Sequence, residues 1–222
     1  MRVSQFEIYR LVQRALEGSG APYGIDRDGA QAVAWLESRG LPALHLLQED
    51  LPLLDARFTG LTLTRNAGGI EIDAAGVSAI AYAGAVIDLA RDGTILRLQR
   101  CRSPLFLLPA AVAAGVPLQL RWRDIFFAAD ADSGAIIRVG HGQALLDSAA
   151  TEVDIRPGSA VPAPRAFLDS AEFQRRYETS LAQGVEVDDA LWRSIDAVAA
   201  RVQVPASTES RLKGAGGGDA NA

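Results

Sequence analysis

Apolar side chains recur every three or four positions at the start of the chain, at Phe6, Tyr9, Val12 and Leu16. That period marks one face of an α-helix. Ser4, with Glu7 three residues on, supplies a capping box at its start, and Gly18-Ser19-Gly20-Ala21-Pro22 ends it. A second helix follows, with Asp26 as its cap and Ala30, Val33, Ala34 and Leu36 on its apolar side, and Gly40 stops it. Pro42 opens a third, carrying Leu44, Leu46, Leu47 and Leu51. Residues 1–54 therefore read as a helical cap of three short helices.

The pattern then shortens toward a period of two. Residues 61–64, 69–73, 80–89, 94–99, 118–122, 125–128, 136–139 and 152–156 read as strands, punctuated by turns such as Arg65-Asn66-Ala67-Gly68-Gly69 and Asp92-Gly93. The run from Ile80 to Leu89 suits a buried helix equally, because of its alanines. A short helix near Pro109 to Ala114 interrupts the strands, and the short connections favour antiparallel pairing. Gly158 to Arg165 reads as an extended linker. Two helices close the pattern. Ser170 caps one, with Phe173, Tyr177 and Leu181 on a face. Asp188 or Asp189 caps the other, with Leu191, Trp192, Ile195, Val198 and Val202. The expected fold class is α+β. It has a three-helix N-terminal cap (1–54), a largely antiparallel β middle (58–157), two C-terminal helices (166–204) and a flexible glycine-rich tail (205–222). Residues 1–204 are expected to form a single domain.

Composition changes this picture mainly by exclusion. A chain of 222 residues, 49% hydrophobic, can bury a core without disulfides or metals. Its net charge of -5 gives no footprint for nucleic acid. The single cysteine, Cys101, rules out an intrachain disulfide and fits a reducing compartment. The opening MRVSQFEIYR has no apolar core of a signal peptide. The longest uncharged run, Ser103 to Leu120, is broken by Pro104, Pro109, Gly115 and Pro117. It reads as a buried short helix and a strand, not a membrane span. The expectation is a cytoplasmic protein without nucleic-acid or membrane partners. Sequence leaves its oligomeric state open.

Few residues suit known chemistry. The only lysine, Lys213, lies in the tail, which disfavours Schiff-base chemistry. His45, His141 and Cys101 lack metal-ligand spacing, so no metal is expected. No cofactor is expected either, since the tail glycines fit neither the phosphate loop nor the dinucleotide pattern. Two readings of that tail stay open: a disordered polar end, or a docking element. In the second, Ser207, Ser210, Arg211, Lys213, Gly214 and Gly216 would contact a partner. The catalytic candidates are Cys101 and His141, as nucleophile and base. Against them, Arg100 and Arg102 would point to the opposite strand face from Cys101, and free cysteines usually pack as small hydrophobes. His45, among leucines, reads as a partly buried structural histidine. Asp130-Ala131-Asp132-Ser133-Gly134 is one residue short of a calcium loop and reads as a β-turn. Arg121-Trp122-Arg123-Asp124 is a polar cluster at a strand end, or a surface ion pair.

Several stretches resemble an uncharacterised bacterial family known only as a domain of unknown function, number 3726. They are VSQFEI (3–8), GSGAPYG (18–24), AWLESRGLP (34–42), SPLFLLP (103–109) and VPASTESRLKGAG (204–216). That family implies no activity, but its similar ending supports a docking tail. A weaker likeness joins the N-terminal helices to the malate/L-lactate dehydrogenase family that lacks a Rossmann fold. That family has Arg-Gly, a short spacer, Ser and a catalytic His. Here Arg39-Gly40 is followed by Leu41-Pro42-Ala43-Leu44 and then His45. The serine is absent and the histidine is one residue late, so no catalytic role is carried over.

Two functional expectations follow. One is a non-catalytic accessory protein that binds a partner protein or small molecule, with the tail as its contact. The alternative is a small metabolic enzyme whose site lies between the helical cap and the sheet, built from Arg and Asp with His141 or Cys101 contributing.

Overall fold

The computed structural model of the chain describes residues 1–54, 58, 60–130, 134–139, 145–158 and 168–202. His141, most of the expected linker and the tail with its six candidate contacts lie outside the described residues.

Helix α1 (Gln5–Gly18) begins with the capping box read from the sequence. Ser4 Oγ accepts from the Glu7 amide, and the Glu7 carboxylate accepts from the Ser4 amide. Helix α2 (Ile25–Glu37) starts at Gly24, not at Asp26. Asp26 sits in the first turn, buried, where Oδ1 accepts from the Gly24 amide and Oδ2 from Gln13 of α1. Its side chain ties two helices together instead of capping one. Helix α3 (Ala43–Leu54) turns Leu44, Leu46, Leu47, Leu51 and Leu54 inward, and with them Asp50.

A mixed sheet follows, with spatial order β2-β3-β4-β8-β5-β6-β7. Its strands are β2 (Thr62–Asn66), β3 (Gly69–Asp73), β4 (Leu96–Cys101), β5 (Leu118–Trp122), β6 (Ile125–Asp130), β7 (Gly134–Val139) and β8 (Thr151–Pro157). Every pairing is antiparallel except β3 with β4. That parallel pair needs a crossover, and the stretch read as a strand supplies it. A 3-10 turn (Ala79–Ala81) leads into helix α4 (Ala83–Arg91), which buries Ala83, Val86, Ile87 and Ala90. Those positions keep a spacing of three and four, so burial against the sheet decides for helix where the alanines allowed either form. Helix α5 (Leu107–Ala113), between β4 and β5, is the short helix expected from the uncharged run. Among the described residues no helix is long and apolar enough to cross a membrane.

The C-terminal helices return to the N-terminal ones. Helix α6 (Ser170–Gln183) is capped by Asp169, not Ser170. It buries Phe173, while Leu181 stays exposed, so the expected three-residue face is only begun. Helix α7 (Asp189–Ala199) is capped by Asp188 and buries Leu191, Ile195 and Ala199. A two-stranded pair, β1 (Arg2–Val3) with β9 (Val185–Glu186), closes the chain's start onto this end. A Cβ on Gly18 would lie 2.4 Å from the Val198 carbonyl oxygen, so glycine lets α1 and α7 approach. Buried residues of helices and sheet form one continuous apolar cluster. The molecule is α+β as expected, with its two helical regions joined.

Candidate functional site

Strand β4 does not keep a simple alternation. Leu96 and Leu98 face the core, and a bulge between Leu98 and Cys101 resets the phase. Arg100 takes the left-handed region at φ 53° and is thrown outward, where it pairs with Asp73. Cys101 then points inward and Arg102 turns toward α3. The apolar spacing Leu96, Leu98, Cys101 is the sequence signal of that bulge.

The bulge delivers Arg102 to Asp50. Arg102 Nε donates to Asp50 Oδ1 at 3.2 Å, and Nη2 donates to Ser148 Oγ at 2.9 Å. Ser148 in turn donates to the Glu49 carboxylate. Asp50 is fully buried, while the Arg102 side chain is 20% exposed. The pair borders a cleft of 430 Å³, lined also by Leu53, Ala75, Gly76, Val77, Ser78 and Ala150. It opens beyond the carboxyl ends of the parallel strands β3 and β4, where βαβ units place ligands.

One half of the carboxylate is unsatisfied. Asp50 Oδ2 is buried without a hydrogen-bond partner, and so is Ser103 Oγ. Burial pushes the Asp50 pKa above the ordinary carboxylate value. The Ser78 and Ser103 hydroxyls and the Arg102 charge lie close enough to oppose that rise without cancelling it. Neither hydroxyl reaches hydrogen-bond geometry with Oδ2. Ala75 (φ 52°) and Ser103 (φ 46°) also hold left-handed backbone beside the pair. Non-glycine strain of this kind collects at functional sites. A buried acceptor and a guanidinium with unused donors can hold a molecule carrying both a donor and an anionic group.

Of the sequence candidates, Cys101 and His45 lie among the described residues. Cys101 is fully buried against Tyr82, and burial pushes its thiol up to about 12, which disfavours the thiolate a nucleophile needs. His141 and the tail positions Ser207, Ser210, Arg211, Lys213, Gly214 and Gly216 lie outside the described residues. His45 is exposed on α3 and not the partly buried structural residue expected. Among the described residues no group of three or more His, Cys, Asp and Glu side chains could hold a metal ion. The sequence reading missed Asp50. Its signal was an acidic residue in register with Leu46, Leu47, Leu51 and Leu54 on an apolar helix face.

The family model described as "Protein of unknown function (DUF3726)" matches residues 3–84. The first resemblance is borne out over that part, which holds α1 to α3 and Asp50. No curated protein matches. Solved structures of similar shape include a dehydrogenase from Sinorhizobium meliloti (TM-score 0.64, 13% identity, covering 90% of this chain and 99% of that one). Malate dehydrogenase from Pyrococcus horikoshii OT3 matches with TM-score 0.63 and 9% identity, over 93% and 97% of the chains. Delta1-piperideine-2-carboxylate reductase from Pseudomonas syringae pvar. tomato gives 0.58 and 11%, over 89% and 99%. The weaker resemblance thus holds for the fold. Identities this low carry the fold alone.

Proposed function

We propose that the chain is a small-molecule enzyme of acid–base type, with its site in the Asp50–Arg102 cleft. The observation that carries this reading is a buried carboxylate with a pKa raised by burial and one unpartnered oxygen, beside a guanidinium and a cleft of metabolite size. The fold supports it, since neighbours of this shape are named for malate and for piperideine-2-carboxylate, both carboxylates. Arg102 would take the carboxylate of such a molecule, and Asp50 would exchange a proton with its adjacent hydroxyl or nitrogen.

Dehydrogenases also need a hydride carrier. The turn from β3 into α4 carries one glycine, Gly76, and meets a 3-10 turn before the helix. That is not the glycine-rich strand-to-helix turn that seats a pyrophosphate. These residues do not fit a dinucleotide seated in the Rossmann manner, and the proposed activity covers binding and proton exchange. Thermal-shift and calorimetric titrations with L-malate, L-lactate and pyruvate test it. Saturable binding to the native chain, lost in Arg102→Gln, is expected. Equal binding to both chains, or none to either, contradicts it.

A second reading keeps the chain as an accessory protein whose segment 205–218 meets a partner. Its support is compositional: the chain's only lysine and a run of glycines share that segment. A pull-down comparing the full chain with one ending at Val204 decides it, because a partner lost on truncation is its expected result.

A further inference from the structure

The sheet has a second face. On strands β4, β8, β5 and β6 the residues Leu98, Val153, Ile155, Leu120, Trp122, Ile125 and Phe127 are buried. Their in-strand neighbours therefore point the other way. Pairing register sets four of these in one row across the sheet: Arg97 opposite Asp154, Asp154 opposite Arg121, and Arg121 opposite Phe126.

The row is not a simple alternation of matched charges. Arg97 is held by Glu152 at 3.1 Å and Asp154 at 3.4 Å. Asp154 is shared further with Arg156 at 3.8 Å. Arg121, by contrast, is exposed and has no ion pair among the described residues, and its cross-strand neighbour is the half-buried ring of Phe126. A concavity of 410 Å³ lies over this end of the row, walled by Arg121, Arg123, Arg156 and Phe126. Arg123 pairs with Asp147 outside that wall. Three guanidiniums and two carboxylates, Asp124 and Asp154, line it, and of the three guanidiniums Arg123 and Arg156 are ion-paired while Arg121 has no ion pair among the described residues.

A solvated antiparallel face needs polar side chains only. An unpaired guanidinium directly across from an aromatic ring, inside a concavity of ligand size, combines the two elements that hold a phosphorylated planar molecule. A guanidinium takes the phosphate, and the ring gives a stacking surface. We propose that this basin, formed by β5, β6 and β8, binds a nucleoside monophosphate. Arg121 and Arg156 hold the phosphate and Phe126 stacks on the base. The site is separate from the Asp50 cleft and does not depend on the function assigned to it.

Calorimetry with AMP, inorganic phosphate and adenosine tests the proposal. AMP should bind with one site, about tenfold tighter than inorganic phosphate, which is the size of one base–aromatic stack. Arg121→Glu, at an exposed position, should abolish AMP binding while keeping the melting temperature. Phe126→Ala should bring AMP down to the affinity of inorganic phosphate, and Asp50→Asn should leave AMP binding unchanged. Absence of AMP binding at millimolar concentration, binding that survives Arg121→Glu, or inorganic phosphate binding as tightly as AMP would each overturn it.

Discussion

Asp50 and Arg102, 52 residues apart, meet at 3.2 Å across the junction of α3 with the sheet, and the carboxylate oxygen that Arg102 does not take has no partner. A structural ion pair of this burial would satisfy both oxygens, because an unpaired buried acceptor costs about 1–3 kcal/mol. The arrangement gives up stability for a buried, unpaired acceptor in the wall of a cleft.

That loss should be recoverable. The folded-state pKa of Asp50 is raised, so ionising it above that pKa costs stability. Asp50→Asn removes the charge at nearly constant volume, and Arg102 keeps its bond to Ser148 and its partial exposure. We expect the variant to melt a few degrees higher at pH 8 while losing carboxylate binding. A large fall in melting temperature would mark Asp50 as a structural ion-pair partner instead.

Glu37 sets a pH dependence of its own. Its carboxylate accepts from the Leu44 amide at 2.7 Å, at the start of α3, and burial raises its pKa from 4.5 to about 7. A raised folded-state pKa gives stability that is complete below the unfolded value and lost as pH climbs through the folded one. The melting temperature should therefore fall between about pH 4.5 and about pH 7, the window set by those two values. Glu37→Gln keeps an acceptor for Leu44 and should flatten that segment of the profile. A difference profile without slope in this window would refute the assignment.

Cys101 should be inert. Its thiol is fully buried and pushed up to about 12. A thiol-reactive disulfide reagent at pH 8 should label it only after denaturant is added, at the rate of unfolding. Rapid labelling of the native chain would make it a candidate nucleophile again.

Two glycines should respond in opposite directions to alanine. Gly84 lies in α4, and a Cβ added there would meet nothing within 4 Å, so Gly84→Ala should stabilise by about 0.5–1 kcal/mol. At Gly18 the same methyl would meet the Val198 carbonyl oxygen at 2.4 Å. Gly18→Ala should cost about 1–3 kcal/mol through overpacking. Chemical denaturation of both variants separates the cases.

The parts of this fold that local chemistry decides could be read in the chain. The Ser4–Glu7 capping box and strands β3 and β5 stand where spacing placed them. Ile80 to Leu89 could not be settled locally, because alanine fits either form and only packing against the sheet selected the helix. The α3–β4 contact was out of reach for another reason. Nothing near Asp50 names Arg102, and a bulge inside β4 had to turn that arginine inward. What the sequence did display was an aspartate on an apolar helix face, which signals a buried charge without naming its partner.

Whether the Asp50–Arg102 cleft receives a small carboxylate is decided most sharply by an amide NMR titration of the isotope-labelled chain with L-malate. Saturable shifts should concentrate at Ala75 to Ser78, Arg102, Ser103 and Ala150, and should be absent in Arg102→Gln. Shifts centred elsewhere, or none at saturating malate, would contradict carboxylate binding in this cleft.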